Sequence, residues 1–151
     1  MAFTVRRDVA APAARVWSVL TDWPAHGRWV PFTRVRTTSP RPDGPGATFV
    51  GRTGIGRLAF DDPMTVTDWA PPDGPASGHC TLRKDGAVVR GGARFAVHPQ
   101  GPDRCTVEWI EDIEIAGLRR VPGADRATAL VGRLAFAAVL RAMAREVEPR
   151  R

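Results

Sequence analysis

The spacing of apolar positions changes period along this chain, from strand alternation to helical repeats, back to alternation, and at the end to one long helical run. Phe3, Val5, Arg7 and Val9 share one face of a first strand. Pro12 suits the first turn of a helix, where a missing N–H costs nothing. Ala13, Val16, Trp17 and Leu20 then recur at helical spacing and predict one buried stripe. Pro24 holds Trp23 out of the α region, so this helix ends near Asp22 and a second, shorter one closes before Pro31.

From Phe32 to about Ile115 the punctuation is that of an antiparallel sheet. Ser39 to Gly46, Gly54-Ile55-Gly56, Pro71 to Gly78 and Pro99 to Asp103 are turn-forming clusters between alternating runs. Leu58 and Phe60 alternate with Arg57, Ala59 and Asp61. Pro63 then marks an edge or a bulge, and Met64, Val66 and Asp68 continue one face. Asp61 and Asp62 are adjacent on a strand, so they point to opposite faces and do not converge as a glycosidase carboxylate pair does.

Asp85-Gly86 is the strongest turn signal, because both residues tolerate the positive φ of a two-residue hairpin. With Lys84 opposite Ala87, Leu82 opposes Val89, and Leu82, Val89, Gly91, Ala93, Phe95 and Val97 share a face. In the next strand Val107, Trp109, Ile113 and Ile115 form the apolar face, and Glu111 falls on it. Pairing Val97 with Cys105 sets Glu111 opposite Gly91. A carboxylate beside a glycine on an apolar wall implies space. It either reaches solvent, pairs with an arginine, or lines a pocket.

Ala124 to about Val147 contains no Pro and predicts a helix of ~35 Å, long enough to cross the sheet. Its apolar stripe runs through Leu130, Leu134, Ala137 and Ala138 and continues through Phe136, Val139, Leu140, Met143 and Val147. A sheet with one apolar face needs a cover, and this helix supplies it.

Composition narrows the function classes. The 151 residues match one domain, residues 1–151, and a hydrophobic fraction of 43% with 25% charged residues is ordinary for a globular protein. No run approaches the ~18 apolar residues of a membrane span. The opening Met-Ala-Phe-Thr-Val-Arg-Arg-Asp lacks the apolar core of a signal peptide. The expectation is a cytoplasmic protein without stable membrane insertion.

A formal charge of +6 invites a nucleic-acid reading, but the arginines are dispersed and Lys84 is the sole lysine, so no basic patch is visible. The expected partners therefore exclude nucleic acid. Cys80 and Cys105 lack C-x-x-C spacing, and His26, His79 and His98 are too dispersed to read as metal ligands. No phosphate-binding glycine loop or nucleophile elbow occurs, and tyrosine is absent. The expectation is no metal and no cofactor.

The order β-α-α, six further strands and one long helix leaves a curved sheet wrapped around its C-terminal helix, an α+β helix-grip arrangement of about seven antiparallel strands. In Val9-x-Ala-Pro12, Val16-Trp17, Asp22-Trp23, Trp29, Gly46, Lys84-x-Gly86-x-Val88-Val89-x-Gly91 and Trp109-x-Glu111, taken with this element order, the chain resembles the START/Bet v1-like (SRPBCC) superfamily. The nearest group is the bacterial one described as polyketide cyclase/dehydrase and lipid transport. The resemblance implies a cavity between sheet and helix for a lipid, sterol, polyketide, hormone or similar apolar or aromatic molecule. It also implies that some members catalyse cyclisation, aromatisation or dehydration. No catalytic set transfers residue by residue.

The expected pocket is lined by Trp29, Phe32, Leu58, Phe60, Met64, Val66, Leu82, Val89, Gly91, Phe95, Trp109, Glu111, Leu130 and Leu134. Glu111 is the candidate catalytic residue, and Asp68, His26 and Arg28 are further polar candidates. Three functions compete: a binding protein for an apolar small molecule, a cofactor-independent cyclase/aromatase or dehydratase with Glu111 as general acid/base, and a protein-interaction module.

Overall fold

A computed structural model describes residues 1–150; Arg151, the end of the expected domain, lies outside the described residues. The elements are β1 (Ala2–Val9), α1 (Ala13–Leu20), α2 (His26–Trp29), β2 (Thr33–Thr37), β3 (Thr48–Thr53), β4 (Phe60–Ala70), β5 (Gly78–Asp85), β6 (Val89–Pro99), β7 (Cys105–Ile115) and α3 (Ala124–Val147). This is the α+β helix-grip fold. The seven strands form one antiparallel sheet in the order β1-β7-β6-β5-β4-β3-β2.

Strands β1 and β2 are successive in the chain yet occupy opposite edges. The segment between them must therefore cross the whole sheet, and α1 and α2 lie in that crossing. Their buried residues, Ala13, Val16, Trp17, Leu20 and Trp29, join the same core as the sheet and α3. Trp23 stacks on Phe49 with ring centroids 4.2 Å apart, and Phe95 stacks on Trp109 at 5.3 Å. Offset aromatic pairs of this kind add to the free energy of burial.

Both hairpin registers differ from those the turns predict. Lys84 pairs with Gly91 and Asp85 with Arg90, leaving a four-residue connection, because Gly91 rather than Gly86 adopts positive φ (+127°). Val97 pairs with Val107, which sets Glu111 opposite Ala93 instead of Gly91. The two shifts are of four and two residues. An even shift leaves every side chain on its face, so the inward set survives.

The bulge in β4 falls at Thr67, between Val66 and Asp68, and not at Pro63. The extra residue reverses the alternation beyond it. Trp69 consequently turns inward opposite Cys80, while Asp68 turns outward and bonds His79 at 2.8 Å.

The long helix buries the C-terminal part of the expected stripe and leaves its first two leucines out. Val139, Leu140, Met143, Ala144 and Val147 are buried, whereas Leu130 and Leu134 are 57% and 64% exposed. At ~100° per residue, Leu134 and Phe136 lie about 200° apart, so only one of them can face the sheet. Gly132 lies on the Phe136 side, against the ring of Phe3, where an added Cβ would come within 2.5 Å of a ring carbon. That close approach seats the helix on β1.

An 18-residue window of α3 also reaches a mean hydropathy of 1.5, so by length and composition the helix is able to cross a membrane. No uninterrupted apolar run of that length occurs in it, because Arg133 and Arg141 break the run. Alanine-rich sequence keeps the average high despite interspersed arginines. In the fold the C-terminal half of this helix packs on the sheet and α1.

Candidate functional site

Between α3, the short helices and the concave sheet face lies a cavity of about 110 Å³. This is of the order of the ~150 Å³ apolar cavity that accepts benzene. Leu20, Trp29, Val30, Val35, Phe49, Met64, Leu82, Trp109, Phe136, Val139 and Leu140 supply its apolar wall. Gly51, Thr33 and Thr53 line the β2–β3 side, and His26, Asp62, Lys84 and Glu111 are its titratable groups.

Glu111 is 1% exposed and has turned fully inward. Trp109, two positions earlier on the same face, donates from Nε1 to Glu111 Oε1 at 2.9 Å. Lys84 Nζ donates to Asp62 Oδ2 at 3.1 Å and lies 3.6 Å from Glu111 Oε2. Lys84 and Glu111 are two strands apart. The residues between them on β6 are Gly91 and Ala93, and these small residues leave the path across the sheet open to the lysine side chain. Asp62 comes from the neighbouring β4, next to the Met64↔Lys84 pair. Its neighbour Asp61 points outward to Arg52 at 2.9 Å, as strand alternation requires.

The three titratable side chains are held at low exposure, with Lys84 and Asp62 at 10% and 14%. Burial pushes the Glu111 carboxyl above its ordinary range, and the nearby Lys84 and Trp109 offset this only in part. Burial alone would lower Lys84, but Glu111 and Asp62 outweigh it and hold the ammonium charged. Two carboxylate oxygens, Asp62 Oδ1 and Glu111 Oε2, are buried without a hydrogen-bond partner among the described residues. Buried polar atoms are rarely left so.

His26 Nε2 lies 2.7 Å from the Leu20 carbonyl and donates to it in the neutral ring, while burial holds its pKa below the ordinary value. Its Nδ1 is then the lone-pair nitrogen. Glu146 of α3 accepts from Trp29 Nε1 at 2.7 Å and from Arg28 Nε at 2.8 Å. These bonds hold the Trp29 wall of the cavity to the helix.

Of the residues expected around the pocket, Trp29, Met64, Leu82, Trp109 and Glu111 line the cavity, as does His26. Val66, Val89 and Phe95 are buried in the sheet and do not reach it, and Gly91 and Phe60 lie outside it. Leu58, 87% exposed, belongs to a 3-10 turn: positive φ at Gly54 and Gly56 keeps the chain out of the sheet until Phe60. Phe32 is 71% exposed at φ +55°, ahead of β2. Leu130 and Leu134 face away, for the helical reason given above. Arg28 is engaged by Glu146, and Asp68 is turned out by the bulge. Lys84 and Asp62 are the site residues that sequence reasoning passed over. The parity that places Leu82 inward also places Lys84 inward, and Met64 does the same for Asp62.

A sheet that grips its C-terminal helix around an apolar cavity defines a START-type ligand-binding fold. The chain belongs to the family described as polyketide cyclase / dehydrase and lipid transport, which matches residues 1–148. Among solved structures it is similar to a START superfamily protein from Mycobacterium smegmatis, with a TM-score of 0.72 and 21% identity over 97% of this chain and 96% of that one. It is also similar to the Zhui aromatase/cyclase from Streptomyces sp. R1128, with a TM-score of 0.68 and 17% identity over 97% and 93%. For human STARD10 the TM-score is 0.71 at 14% identity, over 94% of this chain and 62% of that one. At these identities the likeness is one of fold. No curated protein sequence matches the chain.

Proposed function

We propose that this protein binds a small apolar or aromatic molecule in the cavity between the sheet and α3. The supporting observation is the cavity itself: apolar on most of its wall, with a few convergent polar groups, which is the usual make-up of a small-molecule site. Family membership agrees with it. Dispersed arginines favour a small molecule over nucleic acid as partner.

Native mass spectrometry of gently purified protein tests the reading. A co-purifying small molecule is expected. The variant Gly51→Leu fills the cavity, since a Cβ at Gly51 makes only ordinary contacts, the nearest being Met64 at 3.6 Å. This variant should melt near the unmodified protein and lose the bound molecule. Retention of the molecule in folded Gly51→Leu would exclude the cavity as its site.

A second reading, a cofactor-independent cyclase/aromatase or dehydratase, is favoured by one feature. Glu111 combines burial, a raised pKa and a place on the cavity wall, which are the properties of a general acid. Turnover lost in Glu111→Gln while binding persists would favour this reading.

A further inference from the structure

The polar corner of the cavity carries information about its ligand. Lys84 and Asp62, 3.1 Å apart, neutralise each other. Glu111 is a third buried titratable group that shares this one cation, 3.6 Å from Nζ, so two carboxyls face a single ammonium. The groups facing it are Asp62 from β4, Lys84 from β5 and neutral His26 from α2, while β1 and β6 set Phe3 and Ala93 opposite it and α3 adds Phe136, Val139 and Leu140 to the same cavity. Ionised, Glu111 would leave a net negative charge in an apolar cavity, which is costly. As the neutral acid it fits.

The proton then has one place to sit. Oε1 already accepts from Trp109. Oε2 therefore bears the hydrogen, and its near polar neighbour, Lys84 Nζ, offers only donors. Two donors, Oε2–H and Nζ–H, thus stand within 3.6 Å of each other without a shared acceptor among the described residues.

We propose, resting on the reading that the cavity binds a small apolar molecule, that the ligand meets this corner with a carbonyl oxygen and that Glu111 and Lys84 both donate to it. The ligand class is a neutral ketone, aldehyde or ester on an apolar or aromatic frame. A ligand carboxylate would restore the uncompensated charge, and an amine, an ammonium at pH 6, has no lone pair to accept from the two donors.

Acetophenone, 1-phenylethanol and 1-phenylethylamine share one frame and differ only in the polar group. Calorimetric titration of the unmodified protein at pH 6 should show the ketone binding at least tenfold more tightly than the amine, with the alcohol between. Infrared spectra should show the bound carbonyl stretch shifted to lower frequency than in hexane. Glu111→Gln places an amide N–H where Oε2–H stands, so it should keep ketone binding, whereas Glu111→Met should weaken it about tenfold. Ketone affinity should fall as pH rises through the Glu111 pKa and stay flat in Glu111→Gln.

Equal binding of all three probes, or tighter binding of the amine, would overturn this inference and leave the small-molecule reading standing. Binding of none would overturn both.

Discussion

Trp109 Nε1 donates to Glu111 Oε1 across 2.9 Å, a bond between two residues of one strand face that fixes which carboxyl oxygen is left for the cavity. The neighbouring Lys84–Asp62 pair is nearly as buried, and the three side chains form one electrostatic unit. Removing any one member changes the meaning of the other two.

Lys84→Met tests that unit. It strands Asp62 without a counter-ion, and breaking a buried pair in this way costs about 3–5 kcal/mol. Urea denaturation should report a loss of this order. The double variant Lys84→Met, Asp62→Leu should recover most of it, because no charge is then left unpaired.

The pH dependence of stability follows from Glu111 and His26. The Glu111 pKa is raised above its ordinary 4.5, so at pH values between the two the native state keeps a proton that the unfolded chain has released. Its contribution is fully present below about 4.5 and is lost as pH rises through the native value. His26 acts oppositely: its native pKa lies below 6.5, so the unfolded chain takes up the proton first and stability falls as pH drops below 6.5. Denaturation midpoints across pH should show both slopes. In Glu111→Gln the loss on raising pH should disappear; an unchanged profile would place the titration elsewhere.

Glu146→Ala should act on exchange more than on stability. The ion pair with Arg28 is largely exposed and screened by solvent, so its loss changes stability little. Trp29, however, loses the acceptor that holds its ring on the cavity wall. Stopped-flow fluorescence should show faster ligand release with little change in melting temperature.

Gly91→Ala is expected to destabilise by about 1–3 kcal/mol, the cost of forcing a side chain into a rarely populated backbone region. Gly91 has φ +127°, and an added Cβ there would collide with the Asp112 carbonyl oxygen. Gly51→Ala, with ordinary contacts and no positive φ, serves as the near-neutral control in thermal melts.

Burial pushes the thiols of Cys80 and Cys105 up to about 12 and about 11. The thiolate is the reactive form. Ellman's reagent at pH 8 should therefore leave the native protein almost untouched and titrate both cysteines in urea. Rapid native reaction would mean that the strands carrying them open readily.

Local periodicity alone was enough to outline the elements and the inward face. The bounds of α3, the seven strands and the inward turn of Glu111 follow from spacing, because a side chain's face depends on its parity along its own strand. Errors of two and four residues in the hairpin registers left that parity untouched. The site's electrostatics were decided elsewhere. Lys84 meets Asp62 only because β5 pairs with β4 at Met64↔Lys84, and it reaches Glu111 only because Gly91 and Ala93 lie between them on β6. The bulge at Thr67 reversed Asp68, and the choice between two apolar stripes of α3 was made by the fit of Gly132 against Phe3. These are properties of contacts between segments far apart in the chain, and a pattern that repeats every two or 3.6 residues carries no record of which distant segment it will meet.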